Sequence, residues 1–313
     1  MISVLITNYN YGIFLHDAVS SVLQQDFADF ELIFVDDGST DDSIRIVREI
    51  RDPRLKVLEM QHRGQLASFS AGLSAANGDI ICFLDADDMY PAGYLQSVHD
   101  FYSDVLDCDF LFVGKSYFGR RNGYEGMRCG IERFGAHPFS AAMIHLWIGA
   151  STSACSIRRK RLEAILPLPD CEAEWKIRAD DIILWGADII GCIKYYSSQT
   201  YILYRVHASN HFFSMPGPAR KEERKRRASA AKACLTIREK NGRTISALFR
   251  EELRLGRYPL RFTLRAFVNF IRQWRTEKHF FREFFRCIAA FPVLLHRERP
   301  PIAENVRTAL HLR

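Results

Sequence analysis

The stretch Gly78-Asp79-Ile80-Ile81-Cys82-Phe83-Leu84-Asp85-Ala86-Asp87-Asp88 constrains the fold of this chain more than any other. Five apolar residues run unbroken from Ile80 to Leu84 and stop at three carboxylates within four positions. An apolar run without alternation reads as a strand buried on both faces, as in a parallel sheet covered by helices on either side. The residues just after such a strand lie at its carboxyl end, where open α/β sheets bind their ligands. Side chains alternate along an extended chain, so the spacing places Asp85 and Asp87 on one side. Like charges that close repel, and a shared cation relieves the repulsion. Hard oxygen ligands suit Mn2+ or Mg2+, which keep several waters and take further ligands from substrate phosphates. The same acids also fit a surface turn that caps the next helix.

The flanking sequence repeats a strand-then-helix pattern. Ser3–Thr7, Glu31–Val35 and Leu55–Glu59 are short apolar-rich runs, each leading into a polar or glycine-containing segment. Leu15–Gln25, Asp42–Ile50 and Ala67–Ala76 carry apolar residues at helical spacing. Alternating β and α units of this kind predict a mostly parallel sheet with helices on both faces and right-handed connections. The loops after the first, second and fourth strands then share one sheet edge. They carry Thr7, Asn8, Tyr9 and Asn10, then Asp36-Asp37-Gly38-Ser39, then Asp85 to Asp88. Converging polar groups with a tyrosine for stacking suit a nucleoside, and Gly38 allows a positive-φ turn near a ligand. Taken alone, Asp37-Gly38-Ser39-Thr40 also fits a plain turn and helix N-cap.

A chain of 313 residues exceeds a usual single domain, so one large α/β domain with an appendage is expected. Eight cysteines stand singly, without Cys-x-x-Cys pairs or zinc spacing, which fits a reducing compartment and argues against a disulfide framework. The chain opens on strand-like Met1-Ile2-Ser3-Val4 with no basic segment, so a signal peptide is not expected. No apolar segment approaches the roughly 20 residues that span a bilayer; the run from Cys287 to Leu295 is interrupted by Pro292. The net charge of +6 hides an asymmetry. From residue 220 onward 24 Lys and Arg face nine Glu, whereas the preceding part is acidic, with 19 basic against 28 acidic residues. That shift, at Met215-Pro216-Gly217-Pro218, predicts a boundary between residues 1–215 and a basic, mainly helical region 220–313.

Read together, Ser3 to Asn10, Ser20 to Phe27, Glu31 to Asp41 and Gly78 to Asp88 closely resemble the family 2 glycosyltransferases in order, spacing and identity. The resemblance implies an α/β fold of the GT-A type, with a mostly parallel nucleotide-binding sheet, and a nucleotide-sugar donor. By the same resemblance Thr7, Tyr9 and Asp36, with Asn8 beside them, hold the base. Asp85 and Asp87 bind metal and diphosphate, and Asp87 and Asp88 lie near the donor sugar. Further on, Thr152 to Arg159 resembles the family's acceptor-side strand and helix. Ala179-Asp180-Asp181-Ile182 resembles its acidic catalytic segment, with Asp181 as the base and Asp180 in place of the usual Glu. Tyr204-Arg205-Val206-His207 resembles its Tyr-Arg-x-His ending, where His207 joins the metal site. Inverting transfer needs a carboxylate that takes the acceptor hydroxyl's proton. Acids at a helix N-terminus also simply complement its dipole.

Departures sharpen the reading. Ser68-Phe69-Ser70 stands where many members carry Ala-Arg-Asn, so Arg63 is the candidate substitute on the nucleotide. No Gln-x-x-Arg-Trp motif of processive members occurs, which favours transfer of a single sugar. The expected activity is metal-dependent inverting transfer from a nucleotide sugar, of the UDP type, to a glycan or lipid-linked acceptor in surface polysaccharide biosynthesis. The cofactor is Mn2+ or Mg2+. The alternative is a non-catalytic nucleotide-sugar-binding or membrane-scaffold protein on the same fold. In the basic region, Phe267, Phe270, Ile271 and Trp274 fall at helical spacing among arginines. Such a face either packs on the catalytic domain or lies on an anionic membrane surface. Nucleic acid is not expected as a partner, and the location is cytoplasmic or peripheral on the cytoplasmic face.

Overall fold

The computed structural model describes residues 1–127, 130–208, 210, 220–256, 260–274 and 280–290. The boundary segment Met215 to Pro218, together with Tyr258, Arg275 and the apolar residues after 290, lies outside them.

The N-terminal half adopts the alternation read from the sequence. Strand β1 (Ile2–Asn8) leads to helix α1 (Gly12–Leu23), β2 (Phe30–Asp36) to α2 (Ser43–Glu49), and β3 (Leu55–Glu59) to α3 (Gln65–Ala75). β4 (Ile80–Asp85) and α4 (Tyr94–Asp104) complete it. These four strands are parallel in the order β3-β2-β1-β4, and every residue of β2 is buried. Leu5, Ile33, Val35, Ile81 and Phe83 face one apolar cluster, while Val4, Ile6, Leu32, Phe34 and Leu84 face another. Burial on both faces is why these strands read as continuous apolar runs.

Beyond β4 the sheet becomes mixed. Here lie β5 (Phe110–Gly119), β6 (Gly123–Glu125), β7 (Ile131–Gly135), β8 (Cys155–Arg158) and β9 (Lys194–Val206). β8 inserts antiparallel between β4 and β5, β9 runs parallel to β5, and β7 closes the edge antiparallel to β9. Helices α5 (Pro138–Ile144), α6 (Arg159–Ile165) and α7 (Asp180–Ile189), with a short 3-10 turn at Pro169–Glu174, cover this half. A fully buried lysine fastens α7 to the sheet. Lys194 Nζ at the start of β9 donates to Asp188 Oδ2 at 2.7 Å and to the carbonyls of Leu184 and Ile148, each at 2.9 Å. A buried charge is tolerated only with such a set of partners.

The basic region contributes α8 (Arg220–Lys240), α9 (Ile245–Leu255), α10 (Leu260–Trp274) and α11 (Phe280–Ile288). Ala230, Ala233, Cys234 and Ile237 of α8 join the core that holds α7, and Phe249, Phe267, Phe270 and Phe280 pack with Phe139 and Met143 of α5. The region is thus a helical extension whose inner face shares apolar clusters with the sheet domain. Phe267 and Phe270, which the sequence leaves open between packing on the catalytic domain and a membrane surface, are buried in this packing. Among the described residues no helix is long and apolar enough to cross a membrane, and seven cysteines are unpaired and buried.

Candidate active site

The carboxyl ends of β1, β2 and β4 meet as parallel register requires. Asn8 lies opposite Asp36, and Thr7 opposite Asp85. Asn8 Nδ2 donates to Asp36 Oδ1 at 2.8 Å; Ser39 donates to the same carboxylate through its amide at 2.8 Å and its hydroxyl at 2.6 Å. Gly38 makes this turn at φ 75°, and a Cβ there would stand 2.9 Å from the His62 amide nitrogen. Tyr9 is half-exposed and stacks on His62, with ring centroids 4.1 Å apart. Among the described residues, Asn8 Oδ1 is buried with no hydrogen-bond partner. A buried acceptor of this kind is costly unless something donates to it, and a base N–H is suited to do so. Arg63 borders the same edge: its guanidinium pairs with Glu172, and its amide donates to Asp37 Oδ1 at 2.8 Å.

The acids after β4 do not continue as a strand. The Asp88 amide donates to the Asp85 carbonyl at 3.1 Å, closing a turn, so Asp85 and Asp87 are neighbours through the turn rather than through strand alternation. Ser153 braces this turn by accepting from the Asp85 amide at 3.0 Å and donating to Asp88 Oδ2 at 2.6 Å. Asp88 is buried, and its second oxygen accepts from the Arg205 amide at 2.9 Å. The geometry therefore engages Asp88 within the scaffold. Asp87 meets His207 Nε2 at 2.8 Å and Asn210 Nδ2 at 3.3 Å.

Burial, then the charges of Asp87 and Asp180, push the Asp85 carboxyl well above its usual range. Burial with Asp87 and Asp85 does the same to Asp88. Burial and the same three acids of the turn raise Tyr11 to about 12. Such crowding of like charge at a sheet edge is what a bound cation would reverse. Among the described residues no three His, Cys, Asp or Glu side chains converge as a complete metal cage. Mg2+ and Mn2+ sites need fewer protein ligands, because phosphates and water supply the remainder. Asp85 and Asp87, with His207 beside Asp87, fit that sparse donor set.

The acidic pair stands at the N-terminus of α7. Asp180 lines a small, largely apolar cavity with Phe83, Thr152, Cys155 and Ile183. Burial and the neighbouring Asp181 raise its carboxyl to about 7. Gln65 ties this helix to the acid turn, accepting from the Ala179 amide at 2.9 Å and donating to Asp85 Oδ1 at 3.3 Å. Asp181 is fully buried and heavily bonded. Trp147 Nε1 donates to it at 3.0 Å, Arg178 lies 3.4 Å away, and Arg226 from α8 forms a close ion pair with it. Gln65, Ser153, Trp147 and Arg226 escaped the sequence reading. Gln65 and Trp147 carry no local signal, Ser153 sits unmarked in the Thr152 to Arg159 segment, and Arg226 is hidden in a run of charges.

A nucleotide-type sheet edge facing an acidic helix on the other half of the sheet defines a glycosyltransferase of the GT-A class. Residues 3–165, just over half of the chain, match the family model described as Glycosyl transferase family 2, and the chain belongs to that family. A glycosyltransferase of Nostoc sp. (strain PCC 7120 / SAG 25.82 / UTEX 2576), described as uncharacterized, is 29% identical over 241 residues, which span 72% of this chain and 71% of the relative. The UDP-Glc:alpha-D-GlcNAc-diphosphoundecaprenol beta-1,3-glucosyltransferase of Escherichia coli is 34% identical over 97 residues, 31% of this chain and 38% of that protein. In three dimensions, S. aureus TarS 1-349 in complex with UDP-GlcNAc resembles this chain with a TM-score of 0.57 at 17% identity, covering 94% of this chain and 80% of that one.

Proposed function

We propose that this family 2 glycosyltransferase moves one sugar, with inversion and with the help of Mn2+ or Mg2+, from a nucleotide sugar to a lipid-linked or glycan acceptor of surface polysaccharide synthesis. The observation that carries the reading is the meeting of Asp85, Asp87 and the Asp180-Asp181 pair at the sheet edge that also holds the Asn8–Asp36 pocket. The donor is assigned as a UDP-sugar. Asn8 Oδ1 is the free acceptor for a base N–H, Tyr9 stacks, and Thr7 and Asp36 complete the pocket. The names of the E. coli relative and of the TarS complex, both with UDP-linked donors, support that choice. The relative's diphosphoundecaprenol acceptor supports the lipid-linked class.

In the reaction, the acceptor oxygen attacks the anomeric carbon while the bond to the diphosphate oxygen breaks and its electron pair leaves with the nucleotide. Asp181 takes the hydroxyl proton as general base. Asp85, Asp87 and His207 would hold the cation, and Asp88 stiffens the acid turn through its bonds to Ser153 and the Arg205 amide. A divalent cation bound there would stabilise the charge that develops on the leaving diphosphate. We assign residues 1–215 to the catalytic domain and 220–313 to an extension that rests on the cytoplasmic leaflet. The support for the latter is an outer face of Leu264, Val268, Phe281, Phe285 and Ile288, all exposed, among the exposed Arg261, Arg265, Arg272, Arg282 and Arg286.

The test is a thermal-shift screen of nucleotide sugars with Mn2+ and Mg2+, since a ligand of the native state raises apparent stability. A UDP-sugar should raise Tm only with the metal, and Asp87→Ala should abolish the shift. Equal shifts in wild type and variant would remove the metal-site assignment.

A further inference from the structure

Asp181 is an awkward general base in the arrangement observed. A carboxylate that accepts from Trp147 and from two guanidiniums has its lone pairs occupied and little room to receive a hydroxyl proton. The two arginines are oriented the other way. Asp181 is 1% exposed, whereas the side chains of Arg178 and Arg226 are 46% and 39% exposed, so the solvent-facing side of the cluster is positive. Helix α8 does not need Arg226 for docking, because Ala230, Ala233, Cys234 and Ile237 already bury its apolar face.

The backbone adds an independent mark. Among the described residues the non-glycine positions with positive φ are Asn10, His145 and Arg178, and the last two flank Asp181. His145 at φ 50° and Arg178 at φ 60° occupy a region that costs energy for side-chain-bearing residues and that clusters at ligand sites. From that position the Arg178 guanidinium lies 3.4 Å from the Asp181 carboxylate. Burial and the nearby Arg227 depress His145 to about 4, so at neutral pH it contributes no charge to this cluster.

We propose that Arg178 and Arg226 bind a phosphoryl group carried by the acceptor, and that Asp181 takes the place of that anion when no acceptor is present. This rests on the transferase reading above and names its acceptor class. Guanidinium forks match phosphate oxygens in two-point geometry. When the acceptor's phosphate engages the two arginines, Asp181 loses its counter-ions and its oxygens become free to take a proton. Acceptor docking and release of the base are then one event, and the donor is shielded from attack by water until an acceptor arrives. The residue that completes the acceptor side comes from the basic extension, about forty-five positions beyond the base in the chain.

The test uses the full chain and inorganic phosphate as the probe, monitored by 31P line broadening at saturating UDP and Mg2+, so that the donor site is filled. Wild type should bind phosphate. Arg226→Ala should weaken binding about tenfold or more, the scale of a lost charge-assisted bond. Arg226→Lys should retain most of the affinity, and Arg51→Ala, at an exposed position beyond α2, should retain all of it. Undiminished phosphate binding in a folded Arg226→Ala protein would reduce the cluster to a structural ion pair. Phosphate affinity that falls as UDP and Mg2+ fill the donor site would give the arginines to the donor diphosphate instead. Asp87→Ala separates the two readings: it should lose metal-dependent UDP binding and keep phosphate binding in EDTA. Failure of UDP to bind wild type would count against the transferase reading alone.

Discussion

Asp180 and Asp181 are adjacent in sequence and opposite in circumstance. Asp180 lies against Phe83 and Cys155 with its carboxyl raised to about 7, while Asp181 is held by Trp147, Arg178 and Arg226. If Asp181 is the base, Asp181→Asn should keep donor binding, because the base pocket and acid turn are untouched, and lose sugar transfer by about 100-fold or more. Asp180→Asn should act differently, weakening metal-dependent donor affinity by changing the field at Asp85. UDP release with and without acceptor, measured for both variants, separates the roles. An active Asp181→Asn beside an inactive Asp180→Asn would move the base by one residue. Neither environment is visible in the dipeptide itself, since Trp147 and Arg226 come from 34 and 45 positions away.

Among the elements, α5 and α9 show how the extension is seated. Glu252 of α9 accepts from the Ser140 amide and hydroxyl, both at 2.6 Å, and from Thr263 at 2.9 Å. It thereby caps the start of α5, whose first-turn amides have no helical partner. Burial outweighs those bonds and raises the Glu252 carboxyl from 4.5 to about 7. Between those values the native state keeps a proton that the unfolded chain has released. Stability from this group is therefore full below about pH 4.5 and is lost as pH rises through about 7. Glu252→Gln cannot titrate, so thermal denaturation from pH 5 to 7 should show a flatter Tm profile than wild type. The wild-type slope from this residue is at most about 1.4 kcal/mol per pH unit. Parallel profiles would mean that Glu252 is ionised throughout.

For the whole molecule, the question of packing versus membrane contact for the basic region has a two-sided answer. Phe249, Phe267, Phe270 and Phe280 turn inward, and Leu264, Val268, Phe281, Phe285 and Ile288 turn outward. Removing the region at Pro218 would uncover the α7 and α5 surfaces that α8 to α10 now bury, so surface substitution is the cleaner probe. The intact chain should float with vesicles containing anionic lipid, and binding should weaken without vanishing as salt screens the arginines. Phe281→Ser with Phe285→Ser should remove the salt-resistant part, because exposed side chains contribute to lipid contact and little to the fold. Flotation unchanged by the pair would leave charge alone as the attraction; no flotation at low salt would leave the face to a protein partner.

The sequence by itself determined the parallel half-sheet, its helices and the edge on which Asn8, Asp36 and Asp85 meet. A strand buried on both faces must be apolar throughout, so the place where apolarity stops is legible without coordinates. It also carried the family resemblance and the charge contrast of the extension. Only the tertiary structure decided which carboxylates are exposed to one another and which are capped. The acid turn is braced by Ser153 from the far half of the sheet, α7 is pinned by the buried Lys194, and Asp181 is gripped by an arginine from α8. Such partners are side chains brought together across long stretches of chain. Local periodicity reports which face of an element is buried, but not which distant polar group will meet it there.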